Sequence, residues 1–166
     1  MKIMKDDEIL KKFEEDFEAL RKKLKFKTSL EELDNFLYIR DRILKNGYVP
    51  TNLSRMICSS IMEKFKEVGN YLHSLVIPNP QSMPSITESR LFGEQEKEEF
   101  KNLISKIMFL SSANTLNDIK KDKMADGRLI DDSMKFWNDD CKPKILVVLE
   151  KVNFEWERDS RIKHAS

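Results

Sequence analysis

Five carboxylates near the N-terminus, Glu14, Glu15, Glu18, Glu31 and Asp34, make the pattern in this sequence with the most definite chemistry. They read Glu14-Glu15-x-x-Glu18 and, twelve residues later, Glu31-x-x-Asp34. Acids three or four apart share one side of a helix. The same residues have plainer uses. Thr28 and Ser29 stand three residues before Glu31 and Glu32, as two overlapping capping boxes. Glu14 and Glu18 lie about 100° round the helix from Phe13 and Phe17, on the flank of its apolar stripe, and Glu15 lies farther out. A second chemistry-bearing run follows directly. Arg21, Lys22, Lys23, Lys25 and Lys27 place five positive charges in seven residues with Phe26 among them, a pattern that contacts nucleic-acid phosphates and stacks a base. The structural alternative is a helix whose acids lead and whose bases trail, as the macrodipole favours, with Glu18 and Lys22 spaced for pairing.

The five acids resemble the E-E-x-x-E and E-x-x-D pair of the all-α nucleoside triphosphate pyrophosphohydrolases, over residues 14–34 of the 166. The resemblance implies Mg²⁺ on Glu14, Glu15, Glu18, Glu31 and Asp34, and hydrolysis within a nucleotide's phosphate chain. The elements that precede the first acidic motif in that family are missing here, where the motif falls on the first helix. Arg158-x5-His164 is similar to the R-x4-6-H spacing of a superfamily of all-helical ribonucleases, which implies an arginine and a histidine acting on a scissile phosphate. His164 is third from the C-terminus, where chains fray.

Other reactive residues have ordinary settings. His73 falls on the flank of an apolar helix between Leu72 and Val76, with no serine or cysteine marked as its partner. Cys58 lies among Met56, Ile57, Ile61 and Met62 and reads as core. Cys141, between Asp140 and Lys142, is expected in an exposed turn. Asp126, Asp131, Asp132, Asp139 and Asp140 do not follow the calcium-loop order and are expected on a solvated face. Gly47, Gly69, Gly93 and Gly127 are the four glycines, too few and too scattered for a dinucleotide or phosphate-binding loop. Two histidines and two cysteines do not fill a zinc site of the usual spacing.

The elements that must position these residues are helical. Charged residues are 36% of the chain and hydrophobic residues 40%. Ile9, Leu10, Phe13, Phe17, Leu20 and Leu24 recur at steps of three and four from Asp6 to about Phe26. A second helix starts at the capping boxes and stops at Asn46-Gly47. Pro50 opens a third, with the widest apolar face: Leu53, Ile57, Ile61, Phe65, Leu72 and Leu75. Pro78, Pro80 and Pro84 then interrupt the pattern, leaving one long connection at 78–93 with at most a short turn of helix around 85–91. A helix resumes at Glu94 on Phe100, Leu103, Ile104, Ile107, Met108 and Leu110. It is expected to weaken at Ser111–Thr115, ahead of a tail to Lys123. Ala125-Asp126-Gly127 signals a turn. A further helix carries Leu129, Ile130, Met134 and Trp137 and ends near Asp139-Asp140. After Pro143, Ile145–Leu149 suits a helix or a buried strand, and helix is preferred because no second strand is evident to pair with it.

The sequence therefore predicts an all-α, single-domain bundle of six or seven helices spanning 1–166. Thirty basic against 29 acidic residues gives a net charge of +1, which recruits neither nucleic acid nor an anionic membrane through a global field. The N-terminus turns acidic before any signal-type apolar run, so a soluble cytoplasmic protein is expected. The favoured function is a non-enzymatic helical interaction or regulatory module without cofactor, working through a protein partner or self-association. Arg90, Leu91 and Phe92 of the long connection, charged and aromatic side by side, are its expected contact residues. The alternatives are the Mg²⁺-dependent pyrophosphohydrolase and a nucleic-acid binder using residues 21–27.

Overall fold

In the computed structural model, residues 5–165 are described, with side chains through Arg161. All regular structure among them is helical, and Ile145–Leu149 is helix. No helix among them is long and apolar enough to cross a membrane. The chain divides into two compact units, one of residues 1–65 and 109–134, the other of 66–108 and 135–166.

In the first unit, α1 (Asp6–Leu24) buries Ile9, Phe13, Phe17 and Leu24, with Asp6, Asp7 and Glu8 in its first turn and Arg21, Lys22 and Lys23 in its last. Lys25 takes a left-handed conformation and ends it. Phe26 turns back into the core edge-on to Phe17, with ring centroids 5.7 Å apart. Of the two expected capping boxes only Ser29 with Glu32 forms, opening α2 (Leu30–Leu37). Thr28 instead donates its hydroxyl and its backbone N–H to Asp131, at 2.7 and 2.9 Å.

The helix expected to run unbroken to Asn46 is two. Tyr38 adopts φ 52° and separates α2 from α3 (Ile39–Asn46). The break is held by Asp34, whose carbonyl accepts from the Tyr38 N–H and whose carboxylate accepts from the Arg40 N–H at 2.9 Å. Gly47, also left-handed at φ 73°, closes α3. The N-terminal part of α4 (Leu53–Val76) contributes Leu53, Ile57, Cys58, Ile61 and Phe65 to the core of this unit. α6 (Glu94–Lys120) does not weaken at 111–115. The Ser112 and Thr115 hydroxyls, which compete with helical geometry in solution, donate back to the carbonyls of Phe109 and Ser111.

The Ala125-Asp126-Gly127 turn is likewise absent, because these residues lie in the first turns of α7 (Lys123–Phe136). Gly127 is there for close approach: a Cβ on it would sit 2.6 Å from the Leu24 carbonyl oxygen at the end of α1. Asp122 donates no proton but accepts from the Ala125 N–H and so caps α7.

The second unit holds the C-terminal part of α4, where Leu72 and Leu75 are buried. The long connection contains α5 (Met83–Ser89), capped by Ser82 with Pro84 in its first turn. The Ser89 hydroxyl donates to the Leu75 carbonyl at 2.7 Å, tying α5 to α4. The N-terminal part of α6 buries Phe100 and Ile107, and Ile107 packs on Gly69. A π-helical turn at Trp137–Cys141, in place of the expected helix end, leads into α8 (Lys142–Ala165), with the Lys142 N–H donating to the Trp137 carbonyl. It absorbs the break in the hydrogen-bond ladder that Pro143 imposes. Ile145, Val148 and Val152 form the buried side of α8.

Gly127→Ala tests the contact between α7 and α1. Alanine gains about 1 kcal/mol of intrinsic helix preference, whereas forcing a methyl into a packed site costs about 1–3 kcal/mol. We expect a net loss visible as a lower urea midpoint with unchanged slope; a raised midpoint would show that α7 and the end of α1 do not meet closely.

Candidate functional site

Of the three expected contact residues, Arg90 is exposed, Leu91 is half-buried, and Phe92 is 5% exposed. Phe92 stands edge-on to Phe100 at 5.2 Å, with the Lys151 ammonium 4.9 Å from its ring centroid. Its apolar surface is already covered, so it is not a surface anchor. The connection is also pinned from within, since Glu88 accepts from the Trp156 Nε1–H at 2.9 Å and from the Tyr71 hydroxyl at 3.4 Å. Burial first, and then the Glu88 charge, push the Tyr71 phenol up to about 12.

The N-terminal acids are drawn to cations of the chain itself. The Arg40 guanidinium donates to Asp34 at 2.9 Å and to Glu14 at 3.3 Å. The hydrogen bond to Asp34 contributes most to holding the Arg40 pKa above its ordinary value. Glu18 pairs with Arg21 at 2.8 Å. Glu15 and Glu31 are exposed. Arg40 thus brings Glu14 and Asp34 together, while Glu18 is engaged by its own helix. No group of three or more His, Cys, Asp or Glu suited to a metal occurs among the described residues.

In the basic run, Lys22, Lys23, Lys25 and Lys27 are exposed and Arg21 is engaged by Glu18. Phe26, expected to be available for stacking, is buried against Phe17. His73 is exposed, and the His164 side chain lies outside the described residues.

Sequence reasoning missed a buried polar centre in the first unit. Asp126, expected on a solvated face, is 1% exposed. It accepts from Arg55 Nη1 at 2.6 Å and from the Ser54 hydroxyl at 3.1 Å. Arg55 also donates through Nη2 to Asn114 Oδ1 at 2.8 Å, and its Nε lies 3.7 Å from Asp118. The Cys58 thiol points to the Asp126 carbonyl. A signal was available: 126, 129, 130, 133 and 134 form one stripe at helical period, so Asp126 shares the buried side of α7. Cys141, expected exposed, is fully buried as well. Burial is the largest cause that raises both thiols from 9.0 to about 12.

A second overlooked feature is the outer face of α6. Phe109, Ser112, Leu116 and Ile119 follow at steps of three, four and three, opposite the buried Leu110 and the Asn114 that holds Arg55. Ile119 is 73% exposed, Phe109 60% and Leu116 49%. No charged residue occurs from Ile107 to Asn117. In the second unit α8 also leaves Leu146, Val147, Leu149 and Phe154 exposed.

Comparison with known proteins gives no relative: no family model, no curated protein and no solved structure matches the chain.

Asp126→Ala leaves Arg55 desolvated beside weaker partners and is expected to cost about 3 kcal/mol in chemical denaturation. The double variant Arg55→Met, Asp126→Leu should recover most of that loss, because the uncompensated charge is gone; additive losses would show that the pair is not coupled.

The thiols give a second check. Both are raised in the folded state, so the stability they contribute is complete below about pH 9 and falls as the pH rises from 9 towards 12. At pH 8 a thiol-specific reagent should label Cys58 and Cys141 only at the rate of opening, and rapidly in denaturant. Prompt labelling of Cys141 in native protein would place it on the surface after all.

Proposed function

We propose that this chain is a non-enzymatic interaction module that binds an apolar helical segment of a protein partner along the outer face of α6. The carrying observation is the uncharged stripe of Phe109, Ser112, Leu116 and Ile119 on the solvent side of a long helix. In a chain where 36% of residues are charged, solvated helix faces are expected to carry charge. Covering a large aliphatic or aromatic side chain gains about 1.5–3 kcal/mol, so three such residues in one stripe supply an energetic centre for association. The steps of three and four match the ridge that a second helix packs against. The reading rests on α6 in place of Phe92, whose surface is already covered.

Two further observations support a binding role over catalysis. Glu14, Glu18 and Asp34 are held by Arg40 and Arg21. Cys58, Cys141 and Tyr71 are moved towards their neutral forms by burial, whereas a general acid or base needs a pKa near its working pH in an accessible cleft.

The test places a photo-crosslinking residue at Ser112 in the full chain, in its native cellular setting, with sedimentation velocity on the purified protein. A discrete adduct, either with one partner or with a second copy, is expected. Leu116→Glu with Ile119→Glu should abolish it while changing stability by about 0.5 kcal/mol or less per site, as for exposed positions. An adduct pattern unaffected by the two glutamates, or no adduct and a strictly monomeric protein, would overturn the proposal.

A further inference from the structure

In the second unit, α8 has an outer side opposite its buried Ile145, Val148 and Val152. Pro143, Val147, Glu150 and Phe154 follow along that side at steps of four, three and four, with Leu146 beside Val147. Phe154 is 67% exposed and Val147 59%. Where this row begins it borders a groove of about 480 Å³ between α6 and the start of α8, with Leu103, Pro143 and Val147 as its apolar lining. An apolar helical row continuous with an apolar groove is the form of surface that receives an amphipathic helix.

The charges around this face do not balance. Glu99, Asp139 and Asp140 line the groove against Lys144. Lys144 is held by Glu99, and Asp139 is held by Lys135 at 2.8 Å. Farther along α8, Lys151 is held by Glu96, Arg158 by Glu155 and Arg161 by Glu157. Among the described residues no cation makes an ion pair with Asp140 at the groove or with Glu150 in the middle of the row. Lys142 is exposed, but it lies about 100° round the helix from Pro143, to the side of the row. The face is therefore apolar, with two acids that the chain leaves without a counter-charge.

A second copy of the chain does not offer the complement. Its basic run at 21–27 has Leu24 and Phe26 buried in the first unit, and its α6 stripe has no cation from Ile107 to Asn117 to set against Glu150. We infer that the outer side of α8 and its groove dock a basic amphipathic helix of a partner protein. Pro143 to Phe154 spans about three helical turns, which sets the length of the apolar row that the partner lays along Val147 and Phe154. Lysines or arginines beside that row meet Glu150 and Asp140. The apolar row supplies most of the affinity, while the charges steer the encounter and fix the register. The surface shares no residue with the stripe on α6 and stands or falls independently of it.

The experiment titrates the full chain with two synthetic helical peptides that share one row of leucines, flanked by lysines in the first and by glutamates in the second, at constant ionic strength. Amide chemical shifts in NMR report binding. Saturable shifts at Leu103 and across 139–154 are expected with the lysine peptide and not with the glutamate peptide. Asp140→Asn with Glu150→Gln should weaken the lysine peptide about fivefold, the scale of two exposed ion pairs. Val147→Ser with Phe154→Ser should weaken it by about tenfold or more, because the leucine row then has little to cover. Glu15→Gln with Glu31→Gln, at exposed acids of the first unit, should leave its affinity unchanged. No saturable binding, shifts scattered over the acids of both units, equal binding of the glutamate peptide, an equal loss in the first-unit control, or unaltered affinity in either α8 variant would overturn the proposal. So would concentration-dependent sedimentation of the free chain that the α8 variants abolish, since a second copy would then cover the face. All these variants change exposed side chains, and amide spectra of the free proteins verify that each is folded.

Discussion

The ion pair between Arg55 and Asp126 sets the arrangement of the first unit. Apolar contact is non-directional, and a helix packed only by leucines and isoleucines loses little when it slides against its neighbour. A buried aspartate does not tolerate sliding, because displaced from Arg55 it would stand desolvated without a partner. Arg55 also engages Asn114 on α6, so one guanidinium fixes the positions of three helices. α7 makes two further attachments that are equally specific to position. Gly127 meets the Leu24 carbonyl, and Asp131 takes the N–H groups of Lys27 and Thr28. The turn after α1 is therefore shaped from a distance, by a residue more than a hundred positions away in sequence.

This explains which parts of the fold could be read in advance. Helices whose apolar residues recur at steps of three and four were legible, since burial of one face is the main force that makes them helical. The stripe from Ile9 to Leu24 and the face from Leu53 to Leu75 are of this kind. The breaks and continuities were less legible because they depend on single side chains. Tyr38 interrupts a good helical pattern because Asp34 can cap both the chain before it and the helix after it. Ser111 to Thr115 look like a helix end by propensity, yet Asn114 is needed at Arg55 and the hydroxyls bond back to their own helix. Local preference was outweighed in each case by one contact formed at long range or across a turn.

The same reasoning separates the candidate site residues. Acids near the N-terminus were legible as a pattern, but spacing along a chain says nothing of which cation will fold against them. Arg40 decides the surroundings of Glu14 and Asp34, and it comes from the helix that begins only because of the break at Tyr38. Phe92 had the composition of a surface anchor, and only its contact with Phe100 and Lys151 shows that its surface is spent. Asp126 and the outer stripe of α6 were readable from period alone. A charged residue in phase with a core stripe is buried, and apolar residues out of phase with it are exposed.

An almost balanced charge makes the local departures informative. With 30 basic and 29 acidic residues the chain has almost no net excess of either sign, and its surface ion pairs contribute little to stability. A stretch without charge is therefore no consequence of one sign prevailing. From Ile107 to Asn117 α6 carries no charged residue, although Phe109 and Leu116 are exposed there and Ile119 just beyond. Folding does not require this: a glutamate at Ile119 would be solvated without disturbing the buried side of the helix. The stripe lies on the exposed surface, where substitution is least constrained by packing, and apolar surface left in water gains free energy when another apolar surface covers it.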